Sequence, residues 1–380
     1  MTVCCRTSRS SNWACDGMPL AALAFLSTVA YLPGVPAGAI VLRWGLLSIA
    51  IPVMVLIRPT HPASNPGLGF VVLAYATLSL LWTRVPVEGV QAWWQLVLFL
   101  GAAALGARER DLAPMFAGAA IGMGINGAFA LAQLWGWQGI IQIAAPAGLF
   151  ANKNFMGETA ALALVGVIFS RFWYLMPLPA LALVLSGCRG AWLAAGVAII
   201  VWLWRWFPLR RGGLILVALT DYLLLLDHVT SYGPGDITAR WQIWHDTIDG
   251  FTLLGHGIGG YVIDFPLYQT HYPLAMKTEY AHDDYLQLIF ELGVGAIPLL
   301  VLAGRIVRNA VGTAGLGALA FLVEALVGFP LHMPCTVLLG GVVAGHVLGR
   351  WNLVRAGVGA GRGDGGTGFP YRWREAHQSW

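Results

Sequence analysis

The stretch "EYAHDDYLQLIFELG" (279–293) sets one His and two Asp directly ahead of an apolar run that continues to Leu302. His282 is a candidate general base. An ordinary imidazole titrates near neutrality and can accept a proton from a sugar hydroxyl. Asp283 and Asp284 have a plainer explanation, because acids at a helix start cap it and favour its dipole. That dipole disfavours an imidazolium, so capping explains the Asp pair well and His282 poorly. Further on, Asp284, Gln287 and Glu291 fall at i, i+3 and i+7, one polar stripe running into an apolar helix. Acids in such a setting usually face protein or a water-filled cavity.

Two arginines could supply charge to an anion. Arg189 lies in "SGCRGAWLAA" between Gly187 and Gly190, which allow close approach. Arg240 opens "ARWQIWHDTIDGFTLLGHGIGGY", four residues before Trp244. Two guanidinium forks on one side of a membrane suit a diphosphate. The plainer alternatives are a snorkelling side chain for Arg189 and a solvated charge for Arg240. In "GLFANKNFMGE" (148–158), Asn152, Lys153 and Asn154 are either donors lining a sugar-phosphate site or an ordinary turn and helix cap. Tyr285, Gln287, Glu291 and Trp244 join them as substrate-lining candidates. His245, Asp246, His256 and His271 read as polar loop residues. The five Cys (Cys4, Cys5, Cys15, Cys188, Cys335) have no metal-ligand spacing, and no HExxH pattern occurs, so no metal is expected.

The elements that must position these residues are apolar. Of 380 residues, 58% are hydrophobic and only 11% charged, against about a quarter charged in a soluble chain. Repeated apolar runs predict an all-α polytopic membrane protein with about twelve spans. Their limits fall near 18–33, 37–57, 67–83, 88–106, 114–134, 157–172, 175–188, 190–206, 213–227, 285–304, 313–329 and 334–349. With the N-terminus cytoplasmic, sixteen of the 22 Lys and Arg fall inside. Five fall outside: Arg84, Lys153, Arg189, Arg240 and Lys277. A miscounted span would reverse this bias downstream, and it does not reverse.

Residues 1–349 are therefore expected to form one transmembrane domain, with a long external loop at 228–284. Within that loop Trp241, Trp244, Ile248 and Phe251 recur at helical spacing, predicting an amphipathic helix at the headgroup layer. The Gly-rich segment 350–380 reads as a basic, disordered cytoplasmic tail. The net charge of +4 carries no message about nucleic acid, and no such partner is expected. Arg43, Asp221 and Glu324 fall within spans, where they either pair or line a cavity. Cys188 and Cys335 both fall near the external side, close enough in topology for a disulfide to be conceivable.

Four pieces in this order resemble the O-antigen ligase/polymerase superfamily of Wzy-C-type membrane glycosyltransferases. They are "GLFANKNFMGE", "SGCRGAWLAA", "ARWQIWHDTIDGFTLLGHGIGGY" and "AHDDYLQLIFELGVGAIPLL". The last is similar to the family's H-N-x-Y-L-Q…E-x-G signature, with Asp283 where Asn is usual. The resemblance implies a C-type glycosyltransferase (GT-C) fold in the bacterial inner membrane, with both termini cytoplasmic and the active site facing the periplasm. It implies a glycan donor carried on undecaprenyl diphosphate, a glycolipid (lipid A–core) or growing-glycan acceptor, and no metal or other cofactor. It also implies His282 as the catalytic His, with Arg189 and Arg240 as the diphosphate-contacting pair.

Ligation and polymerisation share this chemistry and differ in acceptor; the compact loop leans toward a ligase. A transporter or lipid flippase remains an alternative of another class, but it would call for internal symmetry and a midplane site. A peptidoglycan polymerase would be expected to lead with an external acid. The topology has a direct check. A phosphatase reporter inserted in 228–284 should be active, and one joined after Arg350 inactive; the reverse pattern would overturn the orientation.

Overall fold

The computed structural model describes residues 17–35, 37–57, 67–206, 235–310 and 312–355. The ninth expected span (213–227), Asp221, Cys4, Cys5, Cys15 and the tail beyond 355 lie outside the described residues. The described chain is helical. In order, its helices are α1 (Met18–Val29), α2 (Gly38–Ile57), α3 (Gly67–Ser79), α4 (Pro86–Arg108), α5 (Ala113–Leu134), α6 (Lys153–Ile168) and α7 (Pro177–Ser186). There follow α8 (Arg189–Trp206), α9 (Gly235–Asp249), α10 (Tyr261–Asp264), α11 (Asp284–Leu292), α12 (Ile297–Asn309), α13 (Gly312–Val327) and α14 (Pro334–Arg355).

A helix occupies each expected span position that is described. Among the described residues, four stretches are long and apolar enough to cross a membrane: Gly38–Ile57, Pro86–Arg108, Ala113–Leu134 and Asp284–Asn309. The tenth expected span is not one straight helix. It breaks at Gly293 (φ 52°) through a 3-10 turn, Gly293–Ala296, into α11 and α12. The last helix continues to Arg355, past the boundary read at 349.

The helices pack through small residues. A Cβ on Gly345 of α14 would lie 1.8 Å from the Ala103 carbonyl oxygen of α4, and one on Gly106 of α4 would lie 1.9 Å from that of Val342. Backbones this close replace side-chain interdigitation with direct helix contact, the packing mode of lipid-exposed bundles. The outside is correspondingly apolar, with Leu56 83% and Ile49 71% exposed. Arg43 is buried within the bundle. It donates to the Thr28 and Leu149 carbonyls at 2.8 and 3.2 Å and lies 3.8 Å from the Phe150 ring centroid. Of the two options open for it, it forms internal contacts.

The segment between α9 and α11 has a small core of its own: Ile243, Tyr261, Phe265, Ala281 and Phe290. Asp246, fully buried, ties α9 to residues 270–272. It accepts from the His271 and Tyr272 backbone N–H groups at 2.9 and 2.8 Å, and from the Thr270 hydroxyl at 3.0 Å. Burial alone would raise its pKa, but the Tyr272 and His271 donors outweigh that and hold it below the usual carboxylate value. Arg84 pairs at 3.1 Å with buried Asp264. The predicted aromatic stripe of α9 is exposed in part. Trp241, Ile248 and Phe251 are exposed, but Trp244 turns inward.

The close helix contact is testable. Gly345→Ala should destabilise the protein by about 3 kcal/mol or more, since overpacking here meets backbone. Gly304→Ala, with nothing within 4 Å of the new Cβ, should be neutral or slightly stabilising. Thermal unfolding midpoints in detergent would compare the two.

Candidate active site

Val327–Phe329, at the end of α13, gathers the site. Gly190, next to Arg189 at the start of α8, sits against Val327, where an added Cβ would lie 3.0 Å from its Cγ2. Gly187 ends α7 in the left-handed conformation (φ 57°), so the chain reverses within two residues and brings Arg189 there. Arg240 of α9 donates from Nη1 to the Val327 carbonyl oxygen at 2.7 Å. His282 meets Phe329 edge-on, with ring centroids 5.2 Å apart. Phe155 of α6 meets the same ring edge-on at 5.7 Å, and Tyr280 stacks on it at 4.5 Å. Arg240, His282 and the start of the helix that carries Arg189 therefore meet at one three-residue turn.

The backbone of His282 is left-handed (φ 55°). This region is unusual for a residue with a Cβ, although His visits it more often than most, and its cost is about 1–3 kcal/mol. The neighbouring residues hold it there. The Trp244 indole donates to the Ala281 carbonyl oxygen at 2.9 Å, and the Ala281 N–H donates to Gln287 Oε1 at 3.1 Å. Trp244 and Gln287 thus position the His282 turn. Glu291 accepts from Gln287 Nε2 at 3.1 Å and from the Gly259 N–H at 2.8 Å. The glycine-rich loop after α9 wedges against it. A Cβ on Gly255 (φ 72°) would lie 2.2 Å from the Glu291 carbonyl oxygen, so only glycine fits.

The Asp pair divides its work. Asp283 caps α11, its side chain accepting from the Tyr285 and Leu286 N–H groups at 2.9 and 3.0 Å. Asn caps a helix as well as Asp, which accounts for Asp283 standing where the family signature has Asn. Burial pushes the Asp283 pKa up, against the pull of those two N–H groups. Asp284 is not a cap. It accepts from the Leu331 N–H at 2.9 Å and faces His332 Nε2 at 3.5 Å. Burial pushes His332 down to about 4, so it is a neutral ring at pH 7.

Beside this turn lie two joined cavities. A polar chamber of about 270 Å³ is lined by Glu88, Gln91, Glu279, Tyr280, Gln287 and Glu291, among others. Burial and the carboxylates of Glu279 and Glu88 push the Tyr280 phenol up to about 12, so it is a hydrogen-bond donor at neutral pH. An apolar crevice of about 130 Å³ runs from it between α4, α12, α13 and α14. Gln95, Gln287, Glu291 and His332 line both. Tyr285 lines the crevice and ties α11 to α13 by donating to the Leu322 carbonyl oxygen at 3.0 Å.

Asn152 is the cap of α6, its side chain accepting from the Asn154 N–H at 2.9 Å. Asn152, Lys153 and Asn154 are half-buried directly before Phe155, and none of them is among the residues lining the chamber. The chamber walls Glu88, Gln91, Glu279, Tyr280 and His332 went unmarked in the sequence. Nothing in their spacing signals them, because three separate segments supply them. Glu324 and Glu158 are buried near each other and near Arg240. Neither oxygen of Glu324 has a hydrogen-bond partner among the described residues. Cys188 and Cys335 are both buried free thiols, not a disulfide.

Residues 174–301 match the family model described as O-antigen ligase. That region is similar to the O-antigen ligase family. It holds Arg189, Arg240, Trp244 and the whole of 279–293, while the "GLFANKNFMGE" stretch lies ahead of it. The match supports the O-antigen ligase/polymerase superfamily, whose members are membrane enzymes. No curated protein matches the chain. Within the family region, the capping role of Asp283 can be isolated. Asp283→Asn should leave stability within a few tenths of a kcal/mol, and Asp283→Ala should lower it by about 1 kcal/mol, read from unfolding midpoints.

Proposed function

We propose that the protein transfers a glycan from undecaprenyl diphosphate to an acceptor hydroxyl at the external face, as an O-antigen ligase. The observation that carries this is the convergence of the Arg189 turn, Arg240 and His282 on Val327–Phe329, beside a polar chamber with an apolar crevice behind it. His282 takes the acceptor proton as the hydroxyl oxygen bonds to sugar C1. The C1–oxygen bond to the diphosphate breaks, and its electron pair leaves with the diphosphate. Arg189 and Arg240 stabilise that charge, a task often given to a metal elsewhere. Attack opposite the leaving group inverts C1.

The two regions suit different parts of the substrates. A hydrocarbon chain fits the crevice. Amides, carboxyls and a phenol fit sugar hydroxyls. Glu88 and Glu279 would repel a diphosphate from the chamber, so the chamber favours the acceptor sugar and the arginines take the donor. Polymerisation would use the same residues with a longer glycan acceptor. A transporter would need its polar site at the midplane, whereas these groups collect at one end of the bundle.

Purified protein in liposomes, given undecaprenyl-diphosphate-linked glycan and lipid A–core, tests this. His282→Ala should lower the transfer rate about 10²–10⁴-fold, and Arg189→Lys about 10²-fold or more. Full transfer by His282→Ala, or glycan movement without transfer, would sink the proposal.

A further inference from the structure

A second cluster of titratable groups lies away from the site, on the face of α9 remote from Arg240's contact. His245 and Asp249 stand at i and i+4 on the last turns of α9, with His245 Nδ1 3.3 Å from Asp249 Oδ2. His271, from the following loop, stacks obliquely over His245, with ring centroids 4.2 Å apart. One ligand atom from each of the three lies within 4.8 Å of the others. All three residues are exposed, and an ion could reach them directly.

The observation that separates this from a chance cluster is the residue behind it. Asp246 is fully buried, and its Oδ1 lies 2.7 Å from His271 Nδ1. It is itself fixed by the backbone N–H groups of His271 and Tyr272 and by the Thr270 hydroxyl. A carboxylate on one imidazole nitrogen sets the tautomer and leaves the other nitrogen to face outward as a lone-pair donor. This is the outer arrangement that orients and strengthens metal-binding histidines. Asp249 is a second acid whose charge is directed at the same point.

We propose that His245, Asp249 and His271 bind one divalent transition-metal ion. His271 would use Nε2. Two imidazoles and one carboxylate suit Zn²⁺, Co²⁺ or Ni²⁺, while Mg²⁺ and Ca²⁺ prefer all-oxygen sites. Metal–ligand bonds of about 2.0–2.2 Å bring ligand atoms to about 3.3–3.5 Å of one another. Exposed side chains reach that by small rotations. Water completes the coordination. The bound ion would staple the end of α9, the helix that bears Arg240, to the loop that runs on to Tyr280 and His282. Its role is to fix that loop; no step of the proposed transfer passes through it.

The full chain, purified in detergent with any affinity tag removed, would be titrated with Co²⁺ and followed by visible absorption. One saturable equivalent should appear, with the intense d–d bands of low coordination, and Zn²⁺ should displace it. His245→Ala and His271→Ala should each weaken binding at least tenfold, and Asp246→Asn about 10–100-fold. His245 touches only exposed Asp249 and His271, so His245→Ala should keep the metal-free unfolding midpoint of the wild type, whereas His271→Ala also removes a partner of buried Asp246 and should lower it. Absence of saturable binding, or wild-type affinity in either His variant, would overturn the proposal. Binding at cysteines would survive in both variants and counts as the second of these results. Since the readout is binding, failure here leaves the transferase proposal standing, and loss of transfer in His282→Ala leaves this one standing.

Discussion

The geometry of the site depends on a single turn with one exposed carbonyl and one ring. Val327 offers its carbonyl oxygen to Arg240 and its side chain to the glycine beside Arg189. Two residues later, Phe329 receives Tyr280 on its face and His282 and Phe155 at its edges. Five chain segments meet here, and four of them come from parts of the sequence more than forty residues from the turn. Aromatic pairs of this kind add about 0.5–1.5 kcal/mol each beyond burial. Directional contacts of that size can hold His282 in a backbone conformation that it would otherwise leave.

This dependence explains what the motif residues do. A signature that includes Gln287, Glu291 and Trp244 invites reading all of them as substrate contacts. In the structure they form a chain of hydrogen bonds around the His282 turn: indole to Ala281, Ala281 to Gln287, Gln287 to Glu291, and Glu291 to the glycine loop. A buried polar chain with each link satisfied is rigid, and leaving any link unmade carries a desolvation penalty of about 1–3 kcal/mol. Gln287 and Glu291 also face the chamber, so for them support and substrate contact are compatible. For Trp244 the structure shows the support role.

How much of this was legible follows from the range of each interaction. Helix positions were readable because apolar length is a local property, and the Asp283 cap was readable because its partners lie two and three residues away. The break at Gly293 was not, since it depends on Leu253 and Gly255 packing against it from the loop. The direction of Trp244 was not, because the pattern that places an aromatic on a helix face is the same for a lipid contact and for a carbonyl partner. The chamber walls were invisible for the same reason: Glu88 and Glu279 become neighbours only after α4 and the loop before α11 pack together. The histidines at 245 and 271 are 26 positions apart, and only the fold brings their rings to 4.2 Å.

The distribution of charge around Phe329 also constrains the proposed reaction. On one side stand the Arg189 turn and Arg240; on the other, past Tyr280, the chamber carries Glu88 and Glu279 with a neutral His332. Low-dielectric aromatic rings between them weaken screening, so a charge bound on either side feels both sets more strongly than it would in water. An anionic leaving group is drawn to the first side and repelled from the second. An uncharged sugar is indifferent to the field and is selected by hydrogen bonds. His282 lies at the edge of that ring, and the proposed reaction requires it to meet both an acceptor oxygen coming from the chamber and a sugar C1 held by the arginines.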